Sequence, residues 1–313
     1  ICFVSKYDLF DTAVSKRSYL LTKQISKVQK PDWVIGHNPG ALYPTLVFKQ
    51  KFNCNAGFDV EDYHPGEGRD KKLQKLIFQL MRAVLPKMNY VSFASSLIKE
   101  ETEKSIKFKN ETKLITVNNY FSKNEFTINE DSNVTNEKIK LIWFSQHIDY
   151  NRGLENIIPI LYKYKDKIEL HLYGNLNAHF KDSISEYLDF IKTYIPVESH
   201  TLNESLSQFD IGLAIEPRKD MNNNIALSNK LLCYFQSGTY ILATETSAQK
   251  LFLQQHTQHG ISVKDDFNNF DTVLNQVINN IEIIRRERTT RFNISQNYNW
   301  EKESEPLLYN WKI

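Results

Sequence analysis

The chain is poor in the residues that staple small or unusual folds. Its 313 residues hold three cysteines, Cys2, Cys54 and Cys233, widely separated. That spacing excludes a disulfide framework and a thiolate zinc site, and it fits a reducing compartment. No apolar run approaches the roughly 18–20 residues that a bilayer-spanning helix needs. No Asp-x-Asp motif occurs, so a metal-bridged diphosphate has no support in the sequence, and His256-x-x-His259 lacks a third ligand nearby. The lysines are dispersed, with no helix-turn-helix, RRM or zinc-finger pattern, which argues against nucleic acid. A composition of 41% hydrophobic and 24% charged residues excludes disorder for the bulk of the chain.

What is present is an alternation of short apolar runs with longer amphipathic stretches, the α/β signature. DWVIG (32–36), NAGFDV (55–60), YVSFA (90–94) and KLITV (113–117) read as strands. Helices are expected over 41–52, 71–88 and 95–106, the last capped by Ser95 or Ser96. The polar stretch SKNEFTINEDSNVTNEK (122–138) is the linker candidate. Beyond it, strands are expected at 139–145, 168–174, 210–215, 239–244 and 261–263, and helices at 154–164, 183–195, 228–237, 247–256 and 269–292. Fully apolar strands imply parallel sheets covered on both faces. Two such series imply two Rossmann-like domains with a cleft between them. The expected domains are 1–125 and 139–297, with 298–313 packing back on the first. Residue 1 is Ile and ICFVS (1–5) reads as a short buried strand, so the chain is expected to be a fragment.

The net charge of +2 is unevenly placed, with 20 basic and 13 acidic residues over 1–125 and 19 and 24 over the remainder. A basic half beside an acidic half suggests an anionic surface or ligand for the first. Within 69–88, six cations accompany Leu73, Leu76, Ile77, Leu80, Met81 and Leu85. That pattern suits either an anionic membrane surface or a core face with solvated lysines.

Several segments together resemble a known family. DIGLAIEP (210–217) followed by LSNKLLCYFQSGTYILATETSAQ (227–249) is similar to the donor-binding segment of family 4-like retaining glycosyltransferases (glycosyl transferases group 1). WFSQHIDYNRGLENII (143–158) resembles that family's strand-loop-helix with a basic residue before a glycine. DWVIGHNPGALYP (32–44), FDVEDYHPGE (58–67) and VNNYF (117–121) resemble its cleft-lining and exit segments. The resemblance implies the GT-B fold, two Rossmann-like domains with parallel sheets facing across a cleft, the nucleotide sugar held mainly by the second. It also implies that part of the N-terminal domain is missing here, since only about 30 residues precede the DWVIG strand. Two positions depart from the family: its pair of glutamates falls on Ile225 and Cys233, and its early arginine falls on Gln146.

The implied activity is retaining transfer from a nucleotide-diphosphate sugar to a glycan or lipid-linked glycan in cell-surface polysaccharide synthesis, with no metal and no cofactor beyond that donor. The alternative is a non-catalytic nucleotide-sugar-binding or partner-binding relative; a GT-B-type epimerase would want more carboxylates and histidines. A leaving diphosphate then needs cations and helix N-termini. Arg152 precedes Gly153 at a helix start, and Lys230 follows Ser228 and Asn229 at another. Gly174 permits close backbone approach, and Glu216 ends a strand where α/β ligands gather. The expected donor-binding set is Arg152, Lys230, Gln146, Asn229, Ser228, Gly174 and Glu216. The catalytic candidates are His64, Asp62 and His37, with Asp62 or Glu61 orienting His64 or the acceptor hydroxyl. Each has a plainer reading, as a solvated cation, a strand-ending turn or a structural histidine. Cys233 is expected in the core. The expected location is cytoplasmic, with peripheral membrane contact through the basic half.

Overall fold

A computed structural model describes residues 14–128 and 138–311; the expected ICFVS strand and residues 129–137 of the expected linker lie outside them. The described chain divides into two units. The first runs through Asn118 and also takes Lys219–Ala226 and the segment from Ser304 onward. The second comprises Asn119–Arg218 and Leu227–Glu303.

The first unit carries a parallel sheet of four strands in the order β1 (Trp33–His37), β2 (Asn55–Val60), β3 (Tyr90–Phe93) and β4 (Lys113–Thr116). The helices Leu42–Phe52, Lys71–Val84 and Ser96–Ser105 make the crossovers. Asp70 caps the second by accepting from the Lys72 and Leu73 amides, and Ser95 caps the third by accepting from the Ile98 amide. The apolar stripe of Lys71–Val84 faces inward: Ile77, Leu80, Met81 and Val84 are buried with Phe58, Val60 and Val91. Of its two readings, the core face is the one observed. A further helix, Lys16–Gln24, has no counterpart among the expected elements.

The second unit carries six parallel strands in the order β10-β9-β8-β5-β6-β7. They are β5 (Ile139–Ile148), β6 (Ile168–Leu176), β7 (Ile191–Tyr194), β8 (Ile211–Ala214), β9 (Tyr240–Thr244) and β10 (Gly260–Val263). Apolar clusters cover both faces, which is why β8 is buried at every residue. At its foot Asp210 accepts from Arg285 Nε and Nη2, each at 3.0 Å, and from Arg288 Nη2 at 3.1 Å. This shared carboxylate ties the last helices to the sheet. The expected linker starts as ordered structure: Phe126 is 4% exposed, and Ser122 and Glu125 form a capping box.

Two expected helices are not formed as such. Over 183–195, the spacing of Ile184, Leu188, Ile191 and Ile195 imitates a helical face. The chain instead ends the Ala178–Ser183 helix, makes a 3-10 turn and enters edge strand β7, paired with β6 from Leu170↔Ile191 to Tyr173↔Tyr194. The β-branched and aromatic residues of IKTY suit that strand, and Ile195 is 80% exposed. The expected helix over 269–292 is broken into Phe270–Asn279, Ile281–Arg286 and Arg288–Ser295, with breaks at Asn280 and Glu287. The short helices Ser199–Ser205 and Met221–Ile225 have no counterpart in the expected elements.

Candidate functional site

In the second unit, the donor candidates gather where β5, β6 and β8 end. Lys230, in the first turn of the Asn229–Gln236 helix, places Nζ 2.6 Å from Glu216 Oε1. Ser228 Oγ donates to the same oxygen at 3.3 Å. The Lys230 ammonium also lies 5.5 Å from the centroid of Trp143, a buried ring of β5 whose Nε1 has no partner among the described residues. Glu216 is fixed at its backbone: its amide donates to Thr244 Oγ1 at 2.9 Å, and the Thr244 hydroxyl donates to its carbonyl at 2.8 Å. Gln249 Nε2 closes the arrangement by donating to the Ala214 and Thr244 carbonyls at 3.1 and 3.0 Å. A cation, a carboxylate and a hydroxyl are thereby held at the open ends of adjacent strands.

The Arg152 turn lies against the same place. Gly153 has φ +84°, and a Cβ there would fall 2.5 Å from Ile215 Cγ2, next to Glu216 in the chain. The turn thus packs closely on the end of β8 and opens the Leu154–Tyr162 helix. Arg152 is half-buried and makes no hydrogen bond or ion pair among the described residues. Gly174 has φ +152°, and a Cβ there would fall 2.3 Å from the Ser145 carbonyl oxygen. That approach accompanies a register shift of β5 against β6 between Phe144 and His147. Gln146 is exposed within this irregularity, where its carbonyl accepts from Asn175 Nδ2 at 3.1 Å. Asn229 is exposed at its helix start. The structure therefore joins Glu216, Ser228 and Lys230 directly, packs the Arg152 turn on Ile215, the chain neighbour of Glu216, and leaves Gln146 and Asn229 outside that hydrogen-bonded group.

In the first unit, register builds a row across three strands: His37 pairs with Asp59, and Asp59 with Ser92. His37 Nδ1 is 3.6 Å from Asp59 Oδ2 and 3.8 Å from Glu61 Oε1, and the Ser92 hydroxyl donates to Asp59 Oδ1. Burial raises the Asp59 carboxyl above its ordinary range, opposed by the Ser92 hydrogen bond and by His37. Sequence reasoning missed Asp59 and Ser92. The available signal was a carboxylate two residues before a further acidic pair, at the end of an apolar strand.

His64 stands on the 3-10 turn His64–Gly66, 16% exposed, with Nδ1 2.6 Å from Glu67 Oε2. A carboxylate accepts, so Nδ1 carries the hydrogen of this bond, and in the neutral ring the lone pair then sits on Nε2. The carboxylate on the His64 ring is thus that of Glu67, while the Asp62 carbonyl accepts from the His64 amide at 2.9 Å and the Glu61 carboxylate faces His37. Asp62 accepts from Asn222 Nδ2 at 2.8 Å, while Asn222 Oδ1 accepts from the Tyr63 amide at 2.7 Å. Asn222 belongs to Lys219–Ala226, and its role had no signal beyond a polar MNNN run. Cys233 is 3% exposed among apolar neighbours, and burial pushes its thiol far up. No group of three or more His, Cys, Asp or Glu residues suited to a metal occurs among the described residues. No helix among them is long and apolar enough to cross a membrane.

No protein-family model and no curated protein matches this chain. Solved structures do. Sucrose-phosphate synthase from Thermosynechococcus elongatus superposes on 98% of this chain and 79% of its own, with a TM-score of 0.75 at 13% identity. Anabaena HepE in complex with UDP covers 95% of this chain and 83% of its own, with a TM-score of 0.70 at 13% identity. S. aureus TarM, in complex with Fondaparinux, alpha-GlcNAc-glycerol and UDP, covers 95% of this chain and 59% of its own, with a TM-score of 0.71 at 15% identity. The likeness shows the fold: two parallel α/β units of the GT-B type found in these glycosyltransferases.

Proposed function

We propose that the protein is a retaining glycosyltransferase that uses a nucleotide-diphosphate sugar, with uridine as the first base to test. The observation that carries this reading is the Lys230–Glu216–Ser228 group, held at strand ends with the Arg152 turn packed beside it. A diphosphate leaving group gathers negative charge as the C1–O bond breaks. Lys230, Arg152 and the amides that open their two helices supply the compensating charge. In a same-face transfer, the acceptor oxygen bonds to C1 while its proton passes to the leaving phosphate oxygen. Glu216, paired with Lys230, then orients that ammonium and accepts from sugar or ribose hydroxyls. His64, with its Nε2 lone pair, and His37, beside Asp59, are the acceptor-side groups. The acceptor class we favour is a glycan or lipid-linked glycan of a cell-surface polysaccharide, made at the inner face of the membrane without a metal.

The test is thermal stabilisation by UDP, GDP, ADP and CMP, followed by turnover with a panel of sugars on the base that binds. Nucleotide at 100 times its dissociation constant adds about 2.7 kcal/mol. The expected result is stabilisation by UDP that Arg152→Ala and Lys230→Ala both lose. Stabilisation by none of the four overturns the donor site. Binding without turnover leaves the non-catalytic relative as the better reading.

A further inference from the structure

The first unit contains a cleft of about 440 Å³ that none of the donor chemistry uses. Its volume lies within the roughly 300–1,000 Å³ of small-molecule sites. Three segments wall it: the loop carrying His64, the start of Lys71–Val84, and the strap Lys219–Ala226. Each wall contributes one cation, Arg69, Lys71 and Lys219. Asp220 is the one carboxylate among the lining residues, and both its oxygens are engaged in building the wall. Its Oδ2 accepts from the Gly68 amide at 2.8 Å, and its Oδ1 accepts from the Asn223 amide at 2.8 Å. Lys71 Nζ donates to Gln74 Oε1 at 3.1 Å, and Gln74 Nε2 holds the Glu67 and Gly68 carbonyls, each at 3.0 Å. The Arg69 guanidinium makes no hydrogen bond or ion pair among the described residues. Tyr63 and Met221 give the cleft an apolar wall.

We infer that this cleft binds a phosphate group carried by the acceptor, an inference that rests on the glycosyl-transfer reading above. A phosphate brings close to two negative charges and three acceptor oxygens. A planar Arg fork and Lys ammonium groups match that charge and geometry, whereas one neutral sugar hydroxyl needs none of them. The loop that supplies one wall also carries His64, so a phosphate held here places the rest of the acceptor beside that imidazole. The phosphate can belong to a soluble sugar phosphate or to a lipid headgroup.

The experiment measures binding of inorganic phosphate, glucose 6-phosphate, and vesicles with 30% phosphatidic acid, a composition set at about that level to keep the surface strongly anionic. The twins without a phosphate monoester or net charge are glucose and pure phosphatidylcholine vesicles, whose phosphodiester is balanced by choline. The variants are Arg69→Ala with Lys71→Ala, both exposed positions, against a control of Lys75→Ala with Arg82→Ala on the same helix. The expected result is at least about tenfold tighter binding of a phosphate-bearing probe than of its twin, weakened about tenfold or more by the first pair and unchanged by the second. Glucose 6-phosphate alone assigns a soluble acceptor, and vesicles alone assign a lipid headgroup; either supports the proposal. Equal binding of every probe and twin overturns it, as does a first pair that binds like wild type. Displacement of glucose 6-phosphate by UDP also overturns it, because the cleft would then serve the donor. UDP stabilisation dependent on Arg152 and Lys230 is read separately, so a failed donor site and a failed phosphate cleft are told apart.

Discussion

Lys230 Nζ and Glu216 Oε1 lie 2.6 Å apart, on side chains only 12% and 18% exposed. Removing either partner strands the other in a partly desolvated place. Lys230→Ala is expected to abolish stabilisation by UDP and to lower stability by about 1–3 kcal/mol. Glu216→Gln keeps a hydrogen-bonding oxygen but leaves the ammonium charge uncompensated, so nucleotide affinity should be kept or rise while turnover falls. Melting curves with and without UDP, beside initial rates, check the pair. Equal loss of nucleotide binding in both variants would contradict the separate roles.

Asn222 bridges Asp62 and the Tyr63 amide on the His64 loop. Asn222→Ala should cost about 1–3 kcal/mol, because the buried Tyr63 amide is left without its acceptor. Turnover should fall while UDP affinity stays unchanged. Asn222→Asp restores the acceptor for Tyr63 but sets a carboxylate against Asp62, so its defect should ease as pH falls. A pH series of rates on the two variants tests this: an Asn222→Asp defect that does not change with pH would remove the assignment.

Gly174 holds φ +152° with its missing Cβ over the Ser145 carbonyl. Gly174→Ala forces a backbone shift at the β5 irregularity and should cost about 1–3 kcal/mol. It should also weaken UDP binding, because β5 and β6 end there. Denaturant titration and nucleotide binding read the two effects. A variant as stable as wild type would mean the strands relax freely.

His259 is fully buried, its ring against Phe235 and its Nε2 at 3.1 Å from the Arg291 carbonyl. Burial is the main cause that lowers its pKa from 6.5 to about 4. Between those values the unfolded chain binds a proton that the folded chain refuses, so stability rises with pH across the window. This group's contribution is full above about pH 6.5 and is lost as pH falls toward 4, by up to about 3 kcal/mol. His259→Gln should flatten that part of the stability profile, measured by urea titrations between pH 4 and 7. An unchanged slope would place the titration elsewhere.

Much of the fold could be read from residues because parallel strands buried on both faces write themselves as apolar runs. NAGFDV is a strand at its expected bounds, 55–60. Ser228, Lys230 and Glu216 come together because strand ends and helix starts converge in such sheets. What escaped the sequence were features set by register and return paths. The His37–Asp59–Ser92 row exists only because three strands pair in that alignment. The Glu67 carboxylate rather than that of Asp62 meets the His64 ring because Pro65 and Gly66 turn the chain back within three residues. The β7 strand was hidden by apolar spacing that fits a helix as well as an edge.

Lys219–Ala226 leaves β8 shortly after Glu216, contributes Ile225 to the core of the first unit, and returns just before Ser228. Ile225 also offers its carbonyl to the Ser95 hydroxyl at 2.8 Å. The first unit is therefore not encoded by a continuous stretch of gene. A chimera that exchanged everything after residue 138 for the matching part of a related chain would replace part of the first unit's own core along with it. Recombination that respects the fold must carry these eight residues with the half they complete.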